Sequence, residues 1–153
     1  MRARVLVGLT LLMGAVVLGV VLAVFRVLDG DVWARLAVGR MGQVPRVDDW
    51  AFTPTLPQWM DHEWGAGRVF YAVYARFGFR GLMALKIAAA LATMAVAIAA
   101  ARQRGVEWPV VLALALPCAW TLLPGFVPVV RSHVFTYLFF AVTLLCLPRW
   151  PWV

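Results

Sequence analysis

The sequence is poor in charged residues. Only 14% of the 153 residues are Asp, Glu, Lys or Arg, against about 25% in soluble domains, while 64% are hydrophobic. A water-soluble chain of this length has too much surface for its volume to hide so many apolar side chains. The composition therefore argues against an ordinary soluble domain and predicts a protein embedded in a membrane.

Lysine and cysteine are also scarce. One Lys stands beside thirteen scattered Arg, and no basic run of the kind that follows a nucleic-acid backbone occurs in the sequence. We therefore expect no nucleic-acid partner and assign the net charge of +7 to membrane orientation and lipid headgroups. Cys118 and Cys146 match no metal-ligand spacing and are expected to be small buried hydrophobic residues.

Long uncharged runs predict an all-α polytopic membrane protein with about four transmembrane helices in a single membrane domain, residues 1–153. About 20 helical residues cross the core of a bilayer. Lys86, near the start of the second span, is expected to extend its amine to the headgroups. The predicted spans are residues 5–27, 81–101, 108–123 and 132–147.

A long loop, residues 29–80, separates the first two predicted spans. Arg residues in the short connections place the N-terminus on the cytoplasmic side of the membrane, so this loop faces outward. Near its start, Trp33, Leu36 and Met41 follow a helical spacing that ends at Gly42, which predicts a short helix.

A second amphipathic helix is predicted from Glu63 to Phe79. Its apolar side chains recur at i, i+3, i+4 and i+7, and its Arg side chains lie on another face. This pattern is typical of a helix in the membrane interface, although a helix packed on other protein segments fits nearly as well. The apolar stripe consists of Phe70, Val73, Tyr74 and Phe77.

Six of the seven acidic residues fall between Asp29 and Glu63. Asp29 and Asp31, separated by one glycine, could bind a divalent cation or supply a base, but Asp31 could equally cap the helix that follows it. Asp61 could cap the next helix, with Glu63 in its first turn. The alternative is that Glu63 or His62 faces an active site.

Arg131 and His133 stand at the outer end of the last predicted span. The planar guanidinium of Arg suits phosphate recognition, while the alternative is an Arg that anchors the helix end in the headgroups. The predicted topology places both residues on the same membrane face as the acidic loop. The predicted substrate-binding residues are Arg131, His133, His62, Glu63 and Asp48.

Three motifs follow one another along the chain. The pattern D-x-D-x-W-x-x-L-x-x-G-R begins at Asp29, H-E-W begins at His62, and R-x-x-x-F-T-Y-L-F-F begins at Arg131. In this order they resemble the N-terminal part of bacterial GT-C-type membrane glycosyltransferase-like proteins. The similarity runs from about Asp29 to Leu147, and it depends on the order of several motifs rather than on any one of them.

The resemblance implies glycosyl transfer from a polyprenyl-phosphate-linked sugar donor at the outer membrane face, by an N-terminal fragment or a subunit of such an enzyme. Asp29 or Asp31 would then deprotonate the acceptor hydroxyl or hold a divalent cation, Mg²⁺ or Mn²⁺. Arg131, with His133, would stabilise the phosphate leaving group. The implied partners are membrane lipid, the polyprenyl-phosphate donor and a further membrane subunit.

A non-catalytic function is the alternative. The chain would then be a small integral membrane subunit whose outward loop binds a partner or lipid. Its acidic residues would serve as helix caps and as partners of Arg side chains rather than in catalysis.

Overall fold

A computed structural model of the chain describes residues 30–44, 46–47, 61–126 and 130–147. Within these ranges the chain is helical and contains no strand, which confirms the all-α class for this part of the protein. The predicted span at residues 5–27 lies outside the described residues, as do Asp29 and Asp48. The helices are α1 (Asp31–Met41), α2 (Trp64–Gln103), α3 (Trp108–Phe126) and α4 (His133–Cys146).

Helix α1 is the short helix that the spacing of Trp33, Leu36 and Met41 predicts. It ends at Gly42, whose φ of 69° lies in the left-handed region that glycine adopts without steric cost. Val32 and Leu36 are buried in a hydrophobic cluster that also contains Phe70 of α2. Burial of this face holds α1 against α2.

Helices α1 and α2 approach each other so closely that their backbones touch at two glycines. A Cβ atom built on Gly39 would lie 2.1 Å from the carbonyl oxygen of Gly67, and one built on Gly67 would lie 2.8 Å from the carbonyl oxygen of Arg35. Small residues at a crossing allow this kind of approach. The guanidinium of Arg68 also donates a hydrogen bond to the carbonyl oxygen of Gly42, which ties the end of α1 to α2.

Helix α2 is interrupted at Gly78, whose φ of 60° and ψ of −155° are not helical. Only glycine adopts this conformation readily. The interruption separates two arms, residues 64–77 and 79–103, which correspond to the predicted amphipathic helix and the predicted second span. Phe70 of the first arm is fully buried, so this arm packs on other protein segments, whereas Phe77 is 68% exposed.

The interruption folds the first arm back toward α4. Ser132, just before α4, contacts Glu63, just before α2, while Leu144 near the end of α4 accepts a hydrogen bond from Arg104, just after α2. Residues 132 and 144 are about 18 Å apart along a helix, but a straight helix from 63 to 104 would extend about 60 Å. Both contacts are possible because α2 is broken at Gly78.

One helix in the described part of the chain, α2, is long and apolar enough to cross a membrane, as judged by its length and composition. Only 22% of its most apolar stretch is buried, so most of these side chains are at least partly exposed. Helix α4 has 14 residues and the apolar part of α3 runs from Trp108 to Trp120, both shorter than the roughly 20 residues that cross a bilayer. The arrangement with four spans stays a prediction.

Two expectations about individual side chains differ from the structure. Lys86 does not extend to the surface but is fully buried, because it shares one face of α2 with the buried Leu82, Ala89 and Thr93. Cys118 and Cys146 are not buried: both are exposed and have no disulfide. They lie on the outward sides of α3 and α4, where Trp120, Phe139 and Phe140 are also exposed.

Candidate functional site

The candidate site forms where the N-terminal ends of three helices meet. Helix α1 begins at Asp31, α2 follows Glu63, and α4 follows Ser132. Side-chain contacts join these three ends, although they are far apart in the sequence. The site therefore depends on the crossing of α1 with α2 and on the fold-back of α2 at Gly78.

Asp31 and Arg131 form an ion pair at this meeting point. The distance between Nη2 of Arg131 and Oδ2 of Asp31 is 2.8 Å, and the two side chains are 46% and 64% exposed. Asp31 is the first residue of α1, and no side-chain hydrogen bond caps this helix. The interpretation of Asp31 as a helix cap is therefore wrong, and its described role is to pair with Arg131.

Arg35 holds two carboxylates on the other side of the site. Its Nη1 atom lies 2.5 Å from Oδ1 of Asp61 and 3.4 Å from Oε2 of Glu63. Asp61 is 1% exposed, and its Oδ1 also accepts a hydrogen bond of 2.9 Å from the backbone N–H of Glu63. Asp61 thus binds a backbone N–H just before α2, close to the capping role that the sequence suggests, and it also neutralises Arg35.

Glu63 connects α2 to α4. Its Oε1 accepts a hydrogen bond of 2.5 Å from the hydroxyl of Ser132, while its Oε2 faces Arg35. The side chain of Glu63 is 29% exposed. Glu63 is therefore oriented from two directions, and it stands between the acidic start of α1 and the start of α4.

A small polar cavity opens between these side chains. It has a volume of about 210 Å³. We call it the polar cavity and define it by its charged and titratable lining. These residues are Asp31, Arg35, Glu63, Arg131 and His133.

A larger space of about 650 Å³ adjoins the polar cavity. Trp64, Val69, Phe135 and Phe139 give it an apolar lining, and we call it the apolar groove. Glu63 and His133 line both spaces, while His62 lines only the groove. The two spaces are therefore neighbours, one suited to a charged group and the other to an apolar chain.

Helix ends add to the electrostatics of the polar cavity. Its lining includes the first residue of α1, the residue before α2 and the first residue of α4. The backbone N–H groups at a helix N-terminus carry a partial positive charge that favours anions. Together with Arg35 and Arg131, these helix ends offset the negative charges of Asp31 and Glu63 in the cavity lining.

The predicted metal site consists of Asp29 and Asp31. Among the described residues, no group of three or more His, Cys, Asp or Glu side chains could hold a metal ion. Asp31 pairs with Arg131 instead, and its predicted metal-binding neighbour Asp29 lies outside the described residues. The described residues supply only Asp31 of the predicted pair, and the Mg²⁺ or Mn²⁺ site stays a prediction.

The structure brings together four of the predicted site residues, namely Asp31, Glu63, Arg131 and His133, with His62 at the adjoining groove. Sequence reasoning missed Arg35 and Ser132 as members of the site. Their partners lie 26 or more residues away, so no local spacing marks them. Comparison with protein-family models, with curated proteins and with solved structures found no match for this chain.

Proposed function

We propose that this chain is the N-terminal portion or a subunit of a GT-C-like glycosyltransferase, which transfers a sugar from a polyprenyl phosphate to an acceptor hydroxyl at the outer membrane face. One observation carries the proposal. Asp31 and Arg131, from opposite ends of the described chain, meet in a polar cavity beside an apolar groove. A lipid-linked sugar phosphate needs both environments next to each other.

Arg131 is the residue that would bind the donor phosphate. A guanidinium donates two parallel hydrogen bonds to phosphate oxygens, and the helix ends around the cavity favour the same charge. His133 lines the cavity next to Arg131. Because negative charge on the phosphate grows as the bond to the sugar breaks, these groups would stabilise the transition state more than the ground state.

Asp31 is the residue that would act as the base. The acceptor oxygen attacks the anomeric carbon of the sugar, and the bond from that carbon to the phosphate oxygen breaks with its electron pair on the phosphate. The acceptor proton passes to the carboxylate of Asp31 and from there to water. The products are the glycosylated acceptor and the free polyprenyl phosphate, so atoms and charge balance without a further reactant.

The apolar groove would hold the first isoprene units of the donor. Its lining includes aromatic and aliphatic side chains, and burial of hydrocarbon contributes about 0.8 kcal/mol for each CH₂ group. The site lies at the N-terminal end of α2, the helix able to cross a membrane. With the N-terminus in the cytoplasm and four spans in a bacterial inner membrane, this end faces outward, where a translocated lipid donor meets water.

The experiment is an assay of sugar transfer from polyprenyl-phosphate donors in membranes that contain the chain as it occurs in the cell. Asp31→Asn should lower the transfer rate by about 10²- to 10⁴-fold, the usual effect of losing a general base. Glu107→Gln, an equal change of charge on the exposed turn before α3, should leave the rate unchanged. Equal transfer by wild type and Asp31→Asn would remove the catalytic role of Asp31.

A non-catalytic membrane subunit is the second candidate. It is favoured by the observation that Asp31 and Asp61 each pair with an Arg side chain, which is the role expected of structural acids. In that case membranes with the wild-type chain transfer no sugar from any polyprenyl-phosphate donor. Such a result would favour a loop that binds a partner or lipid over an enzyme.

A further inference from the structure

The Asp31–Arg131 pair is the most exposed of the ion pairs that the described residues form around the polar cavity. Its two side chains are 64% and 46% exposed, whereas in the Arg35–Asp61 pair they are 16% and 1% exposed. Ion pairs in contact with water shift an equilibrium by about fivefold at most, because solvent screens them. An incoming anion would therefore separate the Asp31–Arg131 pair more easily than the Arg35–Asp61 pair.

The other described carboxylates near the polar cavity, Glu63 and Asp61, are held in place. Glu63 is fixed by Ser132 and by Arg35, and Asp61 is buried against Arg35 and the backbone N–H of Glu63. The Asp31–Arg131 pair differs from these contacts, because both of its side chains have a large exposed surface. An incoming anion can reach this pair without disturbing the buried one.

The pair also occupies the groups that the proposed reaction needs. In the structure, Nη2 of Arg131 donates to Oδ2 of Asp31, so this oxygen of the carboxylate already has a hydrogen-bond donor. A phosphate that accepts two parallel hydrogen bonds from Arg131 would compete with Asp31 for this guanidinium. In the site without substrate, the proposed phosphate-binding residue Arg131 and the proposed base Asp31 are therefore paired with each other.

We propose that the phosphate of the lipid donor displaces Asp31 from Arg131, and that this exchange frees Oδ2 of Asp31 for the acceptor. The inference rests on the proposed function and extends it to the order of binding. The donor binds first, because a phosphate offers the guanidinium two parallel hydrogen bonds. The acceptor then meets a carboxylate that has lost its cation.

The proposed exchange predicts that substitution of Asp31 has opposite effects on phosphate binding and on sugar transfer. If Asp31 competes with the phosphate, removal of its charge strengthens phosphate binding even though it stops transfer. If Asp31 instead contributed to donor binding directly or through a metal ion, its removal would weaken binding. The sign of the change in affinity therefore decides between these roles.

The experiment measures binding of a polyprenyl phosphate without sugar to the purified chain in detergent micelles. Asp31→Asn and Asp31→Ser should each bind about two- to fivefold more tightly than wild type, the range for loss of an exposed ion pair. Arg131→Gln should lose most of the affinity. Glu107→Gln, which removes the same charge far from the site, should bind like wild type.

Further arms separate the sources of the phosphate. Phosphatidylglycerol and a polyprenol that lacks phosphate serve as probes, and neither should bind more tightly to Asp31→Asn than to wild type. An equal gain for phosphatidylglycerol would show a general anion effect and overturn the assignment to the donor. Unchanged or weaker binding of polyprenyl phosphate by both Asp31 variants would overturn the exchange alone, while absence of binding by wild type would overturn the proposed function as well.

Discussion

Replacement of Gly39 by Ala tests whether the site depends on the contact between α1 and α2. A Cβ atom at this position would lie 2.1 Å from the carbonyl oxygen of Gly67 and 2.7 Å from Cβ of Tyr71. Ordinary van der Waals contact begins at 3.4 Å. Neither neighbour is the flexible end of a side chain, so the two helices would have to move apart until that distance is reached.

This separation carries a measurable cost. Overpacking of a close contact typically costs about 1–3 kcal/mol, and the shift also moves Arg35, one turn earlier on α1, away from Glu63. Their present distance of 3.4 Å leaves little margin for an ion pair. We therefore expect Gly39→Ala to lower both the free energy of unfolding and any activity of the site.

The assay is unfolding of the purified protein by SDS in mixed micelles, with Gly65→Ala as the matched control. Gly65 lies in the first turn of α2, and a Cβ atom there would meet nothing within 4 Å. Both changes replace Gly by Ala inside a helix, so the gain in helix propensity is similar and cancels in the comparison. Gly39→Ala should be less stable than Gly65→Ala by about 1–3 kcal/mol, and equal stabilities would refute the close crossing.

Two further changes test the buried pair and the interruption of α2. Arg35→Met should lower the free energy of unfolding by about 3–5 kcal/mol, because it leaves the carboxylate of Asp61 buried without its cation. The double variant Arg35→Met, Asp61→Asn should recover part of this loss. No recovery would contradict the pairing of Arg35 with Asp61. Gly78→Ala should cost about 1–3 kcal/mol, because a Cβ atom is strained at its backbone angles, and an unfolding free energy equal to that of wild type would speak against the interruption.

Local patterns were enough to predict the elements that carry the site. The spacing of Trp33, Leu36 and Met41 before Gly42 predicts α1, since an amphipathic period and a left-handed glycine are properties of a few neighbouring residues. The change from an amphipathic stretch to an apolar one likewise predicts the two arms of α2. The predicted boundary lies close to Gly78, where the structure has its interruption.

Long-range contacts could not be predicted in the same way. The pairing of Arg35 with Asp61 depends on the angle at which α1 crosses α2, and this angle follows from Gly39 and Gly67 rather than from the charges themselves. The burial of Lys86 was missed for the same reason. Composition indicates that the second arm of α2 suits a membrane, but only packing decides which of its faces the other helices cover.

The meeting of three helix starts has a consequence for the order of synthesis. Asp31 and Glu63 leave the ribosome well before Arg131, so the contact that completes the polar cavity waits for nearly the whole described chain. Closing so long a loop costs more entropy than any local contact at the site, and contacts between distant residues form late in folding. A nascent chain that lacks the start of α4 therefore holds Asp31 without its partner Arg131.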